Sequence, residues 1–228
     1  MHLAPNANGV LRKWGIIVED FGASLMQHME ERTEKGDKVK DLDLRGMNAQ
    51  WQHPWHLSHR INLHEKLKTI ATAEEGVGSP ARLHTSSRIV NVDAEKGQVS
   101  LADGTTVTGD VILGADGIYV SDADPGFLCL TANHPPALQS KSRSVIKETK
   151  LFGSGKAAFR FLIPRQAGLD DPVTRPLVEK GNTLVIWYGA DRRIVMYPCN
   201  DNKLLNFNCI HPESESHANA SDGMCAQP

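Results

Sequence analysis

The stretch that most constrains this chain is Val111-Ile-Leu-Gly-Ala-Asp-Gly117. Three aliphatic residues in a row predict a short strand buried on both faces. Gly114-Ala115-Asp116-Gly117 then ends it abruptly. Small residues at the carboxyl end of a strand let a ligand approach the backbone, and a carboxylate there can hold a ligand hydroxyl. On local sequence alone, an ordinary strand and Asp-Gly turn fits equally well.

Around this stretch the pattern changes twice. Residues 6–14 predict a short helix, with Asn6 as its cap, Val10, Leu11 and Trp14 on one face, and Gly15 as its stop. Polar segments 26–33 and 38–44 flank Lys35-Gly36-Asp37 and predict an exposed hairpin, with a solvated helix as the alternative. A helix follows Arg60: Asn62 is placed to cap it, and Leu63, Leu67 and Ile70 recur at helical spacing. Arg60 then stands at or just before a helix amino end, where phosphate groups bind well; a plain surface arginine is the alternative.

From Arg82 the period becomes two. Strands are expected at 84–92, 98–102 and 105–107, the last two joined by an Asp103-Gly104 turn. In the second half, 157–164, 183–189, 194–198 and 204–211 alternate as strands with few helix signals between them, which predicts a largely antiparallel sheet. After Pro212 the chain turns polar and is expected to be loose.

A net charge of −2 gives no reason to expect a nucleic-acid or anionic-membrane partner. Four scattered cysteines without a C-x-x-C pair fit neither a zinc ribbon nor a disulfide scaffold, and point to a reducing compartment. With no bilayer-length apolar run and no signal-peptide pattern, the expectation is a cytoplasmic protein without a transmembrane segment. His53, His56 and His59 are spaced i, i+3, i+6, but Pro54 interrupts any shared helix face, so no metal site is expected.

The order of these features resembles the single-component FAD-dependent aromatic hydroxylases, the salicylate-hydroxylase-like flavoprotein monooxygenases of fungal type. The resemblance rests on Pro5-Asn6-Ala7…Leu11…Trp14-Gly15, on His59-Arg60…Leu63-His64…Leu67, and on Val99-Ser-Leu-Ala-Asp-Gly104…Asp110-Val-Ile-Leu-Gly-Ala-Asp-Gly117. Phe159-Arg160-Phe-Leu-Ile-Pro164 and Val195-Met-Tyr-Pro198 are similar to strands of the family's substrate sheet. The resemblance implies an α/β protein: an incomplete FAD/NAD(P)-binding Rossmann-like domain plus a largely antiparallel substrate-binding sheet. It implies that Arg60, Gly114, Asp116 and Gly117 contact FAD, and that Arg160 and Tyr197 act catalytically beside the flavin. A structural role for both, as a snorkelling arginine and a packed tyrosine, is the alternative. The implied chemistry is NAD(P)H-driven hydroxylation of a small aromatic molecule with O2. Another flavin oxidoreductase of the same fold, or a non-catalytic remnant, are the competing readings.

Three departures from the family pattern shape the expected organisation. No G-x-G-x-x-G turn precedes residue 3, so residues 1–119 are expected to form a partial FAD-binding domain that lacks its first βαβ. Residues 120–139 separate Gly117-Ile-Tyr119 from a family-like Ser140-Lys-Ser-Arg143, and deleting them restores the family order. They are expected to be an intron-derived insertion, with codon choices for Val120-Ser121 and Gln139 compatible with splice signals. Residues 140–212 form the expected partial substrate sheet and 213–228 a loose tail; the family's second FAD motif, Gly-Asp-Ala-x-His-Pro, is absent, so the chain reads as truncated at both ends.

Overall fold

The computed structural model describes residues 1–76, 78–115 and 153–216. They divide into two compact units, one from Met1–Ala81 with Lys156–Pro212, the other from Arg82–Gly155 with the chain from Glu213 onward. The expected insertion at 120–139 and most of the tail lie outside the described residues.

The first unit is built on a six-stranded sheet. A polar hairpin, β3 (His28–Thr33) and β4 (Lys38–Asp43), forms at one edge as the Lys35-Gly36-Asp37 turn predicts. It follows β1 (His2–Leu3), helix α1 (Pro5–Lys13), a 3-10 turn (Val18–Phe21) and β2 (Ser24–Leu25). After the hairpin come α2 (Arg45–Gln50), β5 (His56–Leu57) and α3 (Arg60–Thr72). The second half of the chain supplies β9 (Lys156–Pro164), short helices α4 (Arg165–Asp170) and α5 (Arg175–Val178), and β10 (Thr183–Tyr188), β11 (Arg193–Cys199) and β12 (Leu204–Pro212). The sheet order is β4-β3-β10-β11-β12-β9. All pairs are antiparallel except β3 with β10, which run parallel with His28 opposite Thr183 and Thr33 opposite Tyr188.

Parallel strands cannot be joined by a tight turn, and these two are joined through most of the chain. A buried carboxylate reinforces the seam. Glu30 on β3 is 2% exposed and is met by Arg32 at 2.6 Å, Lys38 at 3.0 Å and Lys180 at 3.1 Å. Burial alone would raise the Glu30 pKa, but the hydrogen bonds from Lys38, Arg32 and Lys180 outweigh it and hold the group at about 2.

Successive residues of each strand point to opposite faces. One face carries Ile163, Val185, Met196 and Leu205 and is covered in part by Val178 and Leu177 of α5, with Gly168 of α4 tight against Val178. Phe161 stacks on Phe207 at 4.9 Å along the same face. The other face carries Leu184, Tyr197 and Cys199, which join Met26, Leu44 and Leu57 in a second core, with Trp51 and Trp55 packed against it. A third cluster, Leu3, Leu11, Ile16, Val18, Ala23 and Leu63, seats α1 and α3 beside the small sheet β1-β5-β2.

The helices differ from expectation in detail. Helix α1 starts at Pro5 after Ala4, not at an Asn6 cap, because proline is well suited to the first helical position. Its inward face is Asn8, Gly9 and Leu11, while Val10 and Trp14 lie on the solvent side. Helix α3 begins at Arg60 with His59 as its N-cap residue, so Asn62 sits inside the first turn and is not the cap. Leu63 is buried and Ile70 exposed, which narrows the expected apolar face.

The second unit holds an antiparallel meander, β6 (Ile89–Asp93), β7 (Gln98–Leu101) and β8 (Thr106–Thr108), with Asp103 accepting from the Thr105 amide in the expected turn. Residues 84–88, expected to open the first strand, are not in it. The largest correction concerns 111–113. No strand forms there, and Val111 and Leu113 are 76% and 89% exposed. An apolar tripeptide becomes a buried strand only when neighbouring strands accept its backbone groups, and none among the described residues pairs with it.

Glu30→Gln is expected to lower the unfolding free energy at pH 7 by about 3 kcal/mol, the equivalent of a carboxyl held two to three pH units below its ordinary value. Because the folded pKa is depressed, this stabilisation is present above pH 4.5 and is lost as the pH falls toward about 2. Urea unfolding of parent and variant between pH 7 and pH 3 should therefore show their curves converging as the pH drops.

Candidate functional site

The site is assembled on the Tyr197 face of the large sheet. Arg160 on β9 is paired in register with Asn208 on β12, which is paired in turn with Val195 on β11. Directly paired residues project to the same side, and Tyr197 lies two residues from Val195, so Arg160, Asn208 and Tyr197 share one face. Arg160 Nε donates to Asn208 Oδ1 at 3.3 Å, which aims its guanidinium across the sheet. Two strand spacings across the sheet and two residues along β11, together about 12 Å, separate the Arg160 and Tyr197 backbones, within reach of long side chains.

Tyr197 is buried, and burial first, then the neighbouring Cys199 thiol, pushes its phenol up to about 12 despite the opposing charge of Arg160. A phenol with so high a pKa keeps its proton across the physiological range and acts as a hydrogen-bond donor. Burial likewise pushes the Cys199 thiol up, so it stays protonated and unreactive.

Arg60 opens α3 at the edge of this assembly. A thirteen-residue helix presents unpaired backbone N–H groups and the positive end of its dipole beside the guanidinium. No carboxylate among the described residues pairs with Arg60 or Arg160. The Met1 amino group donates to Ser58 O at 2.6 Å; burial draws it down to about 6, against the Cys199 thiol and with smaller contributions from the charges of Arg160 and Arg60. An exposed, uncommitted arginine at a helix amino end suits the phosphate or another anionic part of a dinucleotide cofactor.

Gly114 belongs to the second unit and is exposed. Asp116 and Gly117, the other two expected cofactor contacts, lie outside the described residues. The structure therefore brings Arg60, Arg160 and Tyr197 into one unit and leaves the glycine-rich stretch in the other. Sequence reasoning missed Asn208, whose only sequence signal is its position in the alternation of β12.

Of the spaced histidines, His56 is fully buried and already engaged. Asn8 Nδ2 donates to Pro54 O and to His56 Nδ1, both at 2.9 Å, which leaves the Nε2 proton of His56 facing Glu19 at 3.1 Å. Burial holds this imidazole below 6.5, outweighing the pull of Glu19. Among the described residues no three histidine, cysteine or acidic side chains gather around a point that fits a metal ion, and no helix is long and apolar enough to cross a membrane.

In a spectrophotometric titration of the three tyrosines, Tyr197→Phe should remove the component that ionises near pH 12 and leave the remainder unchanged. A titration in which the variant loses a component near pH 10 would contradict the buried, proton-retaining placement of Tyr197.

No protein-family model matches the chain. Among curated proteins it is 27% identical over 212 residues to the FAD-dependent monooxygenase phomE' of Diaporthe leptostromiformis, covering 90% of this chain and 48% of that protein. It is 29% identical over 181 residues to hispidin-3-hydroxylase of Neonothopanus nambi, covering 74% and 38%. Among solved structures, Klebsiella pneumoniae HpxO in complex with FAD and uric acid matches with a TM-score of 0.67 and 14% identity, over 98% of this chain and 50% of that one. The chain spans about half the length of the first of these curated relatives. Over most of its own length it is similar to fungal FAD-dependent monooxygenases, and it shares the fold of flavin hydroxylases.

Proposed function

We propose that this protein serves an FAD-dependent monooxygenase reaction, in which NAD(P)H is the reductant and a small, electron-rich aromatic molecule is hydroxylated with O2. The observation that carries the reading is the shared face of Arg160, Asn208 and Tyr197, with the uncommitted Arg60 at its edge, in a chain similar to fungal monooxygenases. When bound, FAD supplies what no side chain can: two-electron transfer from the nicotinamide and delivery of one oxygen atom from O2.

The chain's own residues do the rest. Arg60, at the amino end of α3, holds an anionic part of the cofactor. Tyr197 keeps its proton and donates to an oxygen of the substrate, which fixes the ring's orientation without itself ionising. Arg160, aligned by Asn208, lies where a nearby cation favours the ionised, electron-rich form of a ring hydroxyl, which is the form that takes up oxygen most readily. The apolar residues on the same face, Val195 and Ile186, accept the flat of an aromatic ring and exclude water from it.

Titration of FAD into the protein, followed by quenching of flavin fluorescence, tests the cofactor part directly. The parent is expected to bind and Arg60→Ala to bind at least about tenfold more weakly, or 1.4 kcal/mol. Equal affinity would remove Arg60 from the cofactor site, and no binding by the parent would show that this chain alone does not hold FAD. For the catalytic part, Tyr197→Phe and Arg160→Met should each reduce hydroxylated product per NAD(P)H oxidised while leaving FAD affinity within about twofold.

A further inference from the structure

Asn62 is the residue through which the Arg60 end of α3 is tied to the sheet. Its Nδ2 donates to Phe21 O at 2.9 Å and to Asn200 Oδ1 at 3.1 Å, and its Oδ1 lies 3.1 Å from His59 Nδ1. The Phe21 carbonyl can only accept, which fixes the amide's orientation and makes His59 Nδ1 the donor to Oδ1. One side chain thus links the residue before α3, the 3-10 turn and the turn between β11 and β12, across 138 positions in sequence.

The partner turn is unusually well determined. Asn200, Asp201 and Asn202 all take left-handed backbone conformations, with φ of 53°, 54° and 59°. Non-glycine residues adopt these at a cost, asparagine and aspartate least, and a run of three persists only where its surroundings hold it. Here Asp201 N donates to Gly22 O at 2.9 Å, Asn202 Nδ2 donates to Asn182 Oδ1 at 2.8 Å, and Asn202 Oδ1 accepts from Asn182 N at 2.9 Å. A side chain on Gly22 would meet the Asn200 backbone at 3.3 Å, and Gly22 itself has φ +84°. The turn is a fixed post, and Asn200 Oδ1 is presented from it.

Arg60 is two residues from Asn62, and Tyr197 is three residues from Asn200. Among the described residues nothing bonds the Arg60 side chain, so its position follows from where α3 begins. We propose that Asn62 is a positioning residue: its hydrogen bond to Asn200 sets the distance between Arg60 and the Tyr197 face. The functional weight of that distance rests on the reading of Arg60 as a cofactor contact.

Three variants and two measurements test this. Asn200→Gly removes the acceptor and tolerates the positive φ, Asn200→Asp keeps both acceptor and backbone preference, and Asn62→Ala removes the donor. In the ligand-free protein, the rate of phenylglyoxal modification at Arg60, read by peptide mass, is expected to rise about threefold in Asn200→Gly and Asn62→Ala through local loosening, and to stay at the parent value in Asn200→Asp. Arg45, held by Asp43, serves as the internal control and should not change. FAD affinity is expected to fall about tenfold in the first two variants and to be kept in Asn200→Asp. An unchanged Arg60 rate in Asn200→Gly, a rise shared by Arg45, or an Asn200→Asp variant that behaves like Asn200→Gly would each overturn the proposal. Should the parent itself fail to bind FAD, the cofactor reading of Arg60 falls, while the modification rates still decide the positioning role. Should Asn62→Ala fail to fold, the two Asn200 variants decide it.

Discussion

The parallel seam between β3 and β10 is what the first unit depends on. Without it the hairpin 28–43 is an isolated polar ribbon, and two-stranded ribbons are barely stable in water. With it the hairpin becomes the edge of a six-stranded sheet whose other four strands come from the far end of the chain. Glu30 is the chemical counterpart of that seam: a buried carboxylate whose partners come from its own strand, from β4 and, through Lys180, from the residues that lead into β10. Removing the charge would leave three cations facing one another, whereas the assembled cluster favours a single register.

The seam also creates the two unlike faces on which the functional reading rests. The face that carries Val185, Met196 and Leu205 is met by α4 and α5 and does structural work. The opposite face is apolar near Leu184 and Cys199 and polar toward Arg160 and Asn208. The transition runs through Tyr197, whose ring is buried in the core and whose hydroxyl keeps its proton. Alternation along β-strands places these chemistries side by side without any sequence motif. Arg60 reaches the same region because α3 starts against the turn that closes β11 onto β12.

Much of this was legible in the sequence, and what was not has a common cause. The strands 183–189, 194–198 and 204–211 could be read because hairpin partners lie close in sequence and alternation marks the buried positions, whereas 157–164 could be read from its alternation alone, its partner β12 lying beyond two intervening strands. The hairpin around Lys35-Gly36-Asp37 was legible from its turn, but its parallel partner was not, since pairing across about 150 residues leaves no local trace. Val111-Ile-Leu113 was misread for the same reason: a strand buried on both faces is defined by its neighbours. Asn62 was read as a cap because caps are local, whereas its bonds go to Phe21 and Asn200, which are near it only in the folded chain. Arg160 and Tyr197 came from resemblance, and geometry added Asn208.

The central claim is that residues 28–43 and 183–212 form one sheet with a single functional face. Amide hydrogen exchange followed by mass spectrometry or NMR tests it most directly. Amides of 28–33 should be protected to the same degree as those of 183–188 and lose protection with them as denaturant is added, in one cooperative step. Rapid exchange throughout 28–43, with 183–212 still protected, would contradict the parallel seam and the shared face that depends on it.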